Sequence, residues 1–144
     1  MPALVLFALG LALRLLFCHA TPDGGATWHA GFQGDAPVWQ EFAASSARHT
    51  LTDAMRLPMR PPAMQWLSAL LWDGAPDTAG TIRLLFVALG AAVAPLLWLV
   101  LRRHTTPAIA FTTAALCAVA GNLLLLSSGL HVETLYLALV LLAL

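Results

Sequence analysis

The chain has 144 residues, 60% hydrophobic and 10% charged, and a formal net charge of zero. Soluble domains carry about 25% charged and about 45–50% apolar residues, so a mean hydropathy of +0.81 excludes an ordinary soluble globule, which would expose large apolar patches. The neutral balance likewise excludes the basic field that nucleic acid requires, and leaves the bilayer as the expected solvent.

Every basic residue is an Arg, and Ala and Leu dominate the apolar set, a composition typical of GC-rich bacterial coding. Cys18 and Cys117 both lie in apolar runs without a Cys-x-x-Cys or Cys/His neighbourhood. They read as small buried hydrophobes, with no disulfide framework.

Residues 2–20 form the first apolar run, interrupted by Gly10 and Arg14. A spanning helix needs about 20 residues, so this run predicts a first span. A cleaved leader would want a basic segment ahead of the apolar one, and nothing basic precedes Arg14. Residues 21–81 differ in kind: they carry acids, arginines, His, Gly and Pro, and predict a long polar loop of functional character. Within it, Asp35 as a cap and Pro37 in a first turn predict a short helix over 36–50. Trp39, Phe42 and Ala43 would share one face of that helix. Residues 61–72 are apolar and aromatic but too short to span, and Trp66 and Trp72 mark them as an interfacial helix. A turn over 73–81 follows, with Gly74, Pro76 and Gly80.

The second span is predicted over 82–101 and ends on Arg102-Arg103-His104. The third covers 107–126, a polar break follows at 127–132, and a fourth apolar run, 133–144, is half a span long. A chain stopping there would leave carbonyls unsatisfied in lipid, so the expectation is the N-terminal fragment of a longer protein. The Arg102-Arg103 pair in a short loop marks the cytoplasmic side. This places the N-terminus inside and the 21–81 loop outside. The fold class expected is all-α and integral to the membrane: a multi-span helical bundle whose long extracytoplasmic first loop carries juxtamembrane helices. No internal repeat is visible.

Four features could carry chemistry. Glu133 opens the fourth run, where a carboxylate beside a long apolar stretch is expensive unless it has a function; its plain alternative is a helix-start acid favoured by the dipole. Asp35 emerges on the same predicted face, and is otherwise a turn residue and helix cap. Arg60 precedes Pro61-Pro62, which hold the backbone extended and aim a guanidinium at the headgroup plane, where Arg forks onto phosphate. Ordinary lipid phosphate is the plain alternative. Arg14 either snorkels outward or pairs with a site acid. His19, His29, His49 and His131 fall on the outer side. No two have a short metal-ligand spacing, although His131 lies close to Glu133, so a divalent metal has only weak support.

In this order the features resemble the N-terminal module of the GT-C membrane glycosyltransferases, and more narrowly the branch of protein O-mannosyltransferases and lipid A aminoarabinose transferases. The resemblance rests on Gly34-Asp35 with Trp39, on Arg60-Pro61-Pro62 leading to Trp66, on the span from Ile82 to Arg102-Arg103, and on Ser127-Ser128 followed by Glu133-Thr134. It covers nearly all of the chain. Two positions depart from the pattern. Ala36 stands where many relatives have a second acid, and Met59-Arg60 stand where the aminoarabinose branch has Glu-Lys. The resemblance therefore carries neither a metal nor that substrate onto this chain.

What the resemblance implies is an inverting transfer of a sugar from a polyprenyl-phosphate donor to an extracytoplasmic acceptor at a bacterial plasma membrane. Asp35 and Glu133 would be catalytic, Arg60 and Arg56 would hold the donor phosphate, and Arg14, Trp39 and His131 would support them. The partners are the lipid-linked donor and membrane lipids, with no nucleic acid and no certain cofactor. The competing expectation is a small non-catalytic membrane protein, such as a transporter fragment or an assembly subunit.

Overall fold

The computed structural model describes residues 1–20, 67, 70–71, 76–128 and 131–144. The described residues are all helical or connective: α1 (Pro2–Ala20), α2 (Pro76–Leu101), α3 (Pro107–Val119), α4 (Gly121–Ser128) and α5 (Val132–Ala143). The short helix expected over 36–50 and most of the interfacial 61–72 segment lie outside the described residues. From that segment Leu67, Leu70 and Leu71 are helical, and Leu67 packs on Ile82 and Phe86.

Among the described residues two helices are long and apolar enough to cross a membrane, Pro2–Ala20 and the Thr81–Leu101 part of α2, or three if α3 and α4 count as one broken span. At 1.5 Å per residue these two lengths give roughly 28 and 31 Å, matching a hydrocarbon core of about 30 Å. Their outward surfaces agree with that solvent: Leu4 and Leu16 on α1 are 73% and 64% exposed, and Leu116 on α3 is 65% exposed. The chain is therefore a helical membrane protein by length and composition of its elements.

α2 is the hub, touching each of the other four helices. Three of these neighbours present a narrow stripe at four-residue spacing. On α1 the stripe is Leu6, Gly10 and Arg14; on α3 it is Ala110, Ala114 and Ala118; on α5 it is Thr134 and Ala138. On α3 and α5 these residues are small, as is Gly10 on α1, and small residues let helix backbones approach without a hydrophobic drive between them, which lipid cannot supply. At one end of α2, Ile82 and Phe86 pack with Val132 and Leu135. Toward the other, Leu6, Ala94, Ala114 and Ala118 form a second cluster beside Trp98. Pro95, buried inside α2, has no N–H for the Ala91 carbonyl. A Cβ built on Gly10 would come to 3.4 Å from both the Cα and the O of Ala91. The two backbones thus run close together where the helical hydrogen bond is missing.

Two boundaries differ from the sequence expectation. The turn expected to last until residue 81 gives way at Pro76, a residue suited to the first helical position because its missing N–H would have no partner there. The third apolar run, expected as one span over 107–126, breaks at Ala120, where α3 and α4 meet at 59°. Ala120 is extended (φ −62, ψ 118) and donates its N–H to the Cys117 carbonyl. Gly121 and Asn122 are weak helix formers, and the Asn122 side-chain carbonyl accepts from the Leu123 N–H at 3.2 Å, a local bond that competes with the helix. The polar break expected from 127 also shifts, since α4 continues through Ser128.

The α2–α3 connection holds itself with polar contacts. Arg102 lies over the Trp98 ring at 4.8 Å, the Thr105 hydroxyl donates to the Leu101 carbonyl at 2.9 Å, and Thr106 caps α3 by accepting from the Ile109 N–H at 3.4 Å. Thr106→Ala should lower stability by about 0.5–1 kcal/mol, the lower part of the range for lost caps because this bond is long. Thermal unfolding of the purified protein in a neutral detergent checks it, and an unchanged midpoint would show that the cap contributes nothing.

Candidate functional site

The described site gathers around Arg14. The residue is 1% exposed, yet it lies six residues before the end of α1. Arg14 neither reaches outward nor finds an acid among the described residues. Instead Nε donates to the Ser127 hydroxyl at 2.8 Å, and Nη1 donates back to the Gly10 carbonyl at 3.0 Å. Ser127, fully buried, points its hydroxyl at the Leu123 and Leu124 carbonyls at 2.8 and 3.1 Å. One side chain on α1 is thereby tied to the last turn of α4, across the face of Gly90 on α2.

Gly90 makes this crossing possible. A Cβ there would lie 2.8 Å from Arg14 Nε and 2.9 Å from Ser127 Oγ, and closer still to Ser127 Cβ. Only the absence of a side chain leaves room for the pair to meet over α2.

Beside this crossing lies a pocket of about 230 Å³ lined by Arg14, Gly90, Val93, Leu123, Leu126, Glu133, Thr134 and Leu137. Among the described residues its wall is almost entirely hydrocarbon, with one cation and one anion. Glu133 enters from the first turn of α5, where the helix N-terminus favours a carboxylate. Its side chain is 61% exposed, and His131, the cap residue before it, brings Nδ1 to 3.9 Å from Oε2. Thr134, 5% exposed, adds a hydroxyl to the wall. Glu133 and Arg14, apart by 119 positions in the chain, thus border one cavity.

Of the site residues expected from sequence, Arg14, His131 and Glu133 come together in this region. Asp35, Trp39, Arg56 and Arg60 lie outside the described residues. No group of three or more His, Cys, Asp or Glu able to hold a metal occurs among the described residues.

Sequence reasoning missed Gly90 and Thr134 as wall residues, and Ser127 as the partner of Arg14. Part of the signal was present: Gly10 stands four residues before Arg14, which puts its carbonyl within reach of the side chain above. Ser127 carried no comparable mark, since its bond spans 113 residues.

The chain matches no family model, no curated protein and no solved structure.

Proposed function

We propose that the chain is the N-terminal part of a multi-span membrane glycosyltransferase, moving a sugar from a polyprenyl-phosphate donor to an acceptor on the outer face of a bacterial plasma membrane. The observation that carries this reading is the pocket shared by Glu133 and the buried Arg14 among helices long enough to cross a bilayer. An acid and a cation facing one largely apolar cavity suit a substrate that is part hydrocarbon, part phosphate and part sugar. In the reaction the acceptor hydroxyl oxygen attacks the anomeric carbon, and the bond from that carbon to the phosphate oxygen breaks. Polyprenyl phosphate leaves, and the acceptor proton passes to a carboxylate base. Asp35 takes that role in this reading, Arg60 and Arg56 stabilise the charge growing on the phosphate, and Glu133 orients the acceptor.

The test is transfer from a radiolabelled polyprenyl-phosphate sugar by the full-length protein in membranes. Asp35→Asn should reduce turnover by roughly 10²–10⁴-fold, the usual contribution of a positioned base, with the protein still inserted at normal levels. Full activity in that variant would overturn the base assignment.

The rival reading, a non-catalytic membrane subunit, draws on the Arg14 bonds to neutral groups, of which the one to Ser127 fastens α1 to α4 without any chemistry. It expects cells to tolerate both Asp35→Asn and Glu133→Gln without a phenotype.

A further inference from the structure

We infer that the pocket beside Arg14 is an intramembrane binding site for a phosphodiester lipid, with the single phosphate charge on Arg14 and the hydroxylated head toward Glu133. The cavity is the one on which the transferase reading rests, but the phosphate is placed here on Arg14 and not on Arg56 or Arg60, and lipid retention is read without sugar transfer.

The argument begins with the guanidinium. Arg carries five N–H donors, and among the described residues Arg14 places two of them, both on neutral oxygens. A cation taken out of water and left without an anion is costly, and such groups inside membranes commonly serve a ligand. Arg14 also lines the cavity, so a buried charge with unfilled hydrogen-bonding capacity among the described residues adjoins a space.

The lining selects the ligand. Val93, Leu123, Leu126 and Leu137 supply hydrocarbon, so a small hydrated ion would lose its water without recompense on most of the wall. An amphiphile keeps its chains against these leucines and its phosphate on Arg14. Charge then sets the number of ionised oxygens. Among the described residues the lining holds one cation, and its other charged member is the Glu133 carboxylate, so a doubly charged phosphate monoester would leave a negative charge facing an acid. A diester carries a single charge, which one guanidinium matches, often through two parallel bonds. Glu133 and Thr134 offer oxygens to a hydroxylated head, as glycerol would present.

The experiment uses the full chain in maltoside micelles, with native mass spectrometry to count retained lipids and thermal unfolding to read stabilisation. The probes are dioleoylphosphatidylglycerol, dioleoylglycerol (the same chains without phosphate) and sodium phosphate (the charge without chains). The expected result is one tightly retained phosphatidylglycerol, with neither control giving stabilisation. Arg14→Gln should weaken retention about tenfold to a hundredfold, the value of a charge-assisted hydrogen bond. Leu126→Trp, which puts a larger ring into the cavity and substitutes neither hydrogen-bond partner of Arg14, should weaken it sharply even if the Arg14 variant fails to fold. Arg102→Gln, just beyond the far end of α2, should leave lipid retention unchanged. Equal retention in the Leu126→Trp protein, equal binding of dioleoylglycerol, or equal stabilisation by sodium phosphate would each overturn the site. Lost transfer with lipid retention intact counts against the transferase reading alone.

Discussion

Gly90→Ala should be among the most damaging single-methyl additions in this chain, lowering stability by about 1–3 kcal/mol, as overpacking does in tight interiors. The reason is geometric. The new Cβ would fall inside the contact distances of three atoms on two other helices: Cβ and Oγ of Ser127 and Nε of Arg14. None of these can retreat cheaply. Ser127 is fully buried and bonded to two carbonyls of its own helix, and Arg14 is held at both Nε and Nη1. Moving α4 away would break the Arg14–Ser127 bond; moving Arg14 would leave its charge without acceptors. Gly90→Leu should prevent assembly outright. The check is thermal unfolding in detergent, together with the double variant Gly90→Ala, Ser127→Gly, which removes two of the three clashing atoms. Partial recovery in the double variant is expected. No recovery would place the damage elsewhere, in the fit of α1 against α2.

The second large effect separates charge from bulk at Arg14. Arg14→Glu should lower stability by about 3–5 kcal/mol, the scale of an uncompensated buried charge. The new carboxylate would have the Gly10 carbonyl beside it and would border the same pocket as Glu133. Arg14→Met should fall within about 1 kcal/mol of the parent, because replacing a buried ion by an apolar side chain of similar length is often neutral or better. Nothing is orphaned by that change: Ser127 keeps its acceptors at Leu123 and Leu124. The measurement is the fraction of protein remaining folded after stepwise heating in detergent. Should Met prove as harmful as Glu, Arg14 acts through its packing and hydrogen bonds, and the case for a ligand on its charge weakens.

Arg14 and Gly90 also mark how far the sequence could be read. Arg14 stood out because any ionised group in an apolar run does, and Glu133 stood out for the same reason. Gly90 did not, because a glycine between Leu89 and Ala91 in an apolar run has no local signature; its meaning is a distance to atoms contributed by other helices. Likewise the break at Ala120 was hidden under an unbroken apolar run, since hydropathy reports solvent preference and is blind to a single extended residue. Gly121-Asn122 was the only local hint, and its weight against the apolar run is small.

The sequence by itself determined the solvent, the helical class and the two long spans, because those follow from composition and from the length of apolar runs, properties each segment has alone. It also determined which ionisable residues would be expensive. Only the tertiary structure decided where those charges go. It turned Arg14 inward onto Ser127 and Gly10, brought Glu133 to the same cavity, and made Gly90 the point that admits the crossing. Each of these is a meeting of side chains from helices far apart in the chain, and packing in lipid depends on shape and on unmet hydrogen bonds between helices. No periodicity within one helix encodes that.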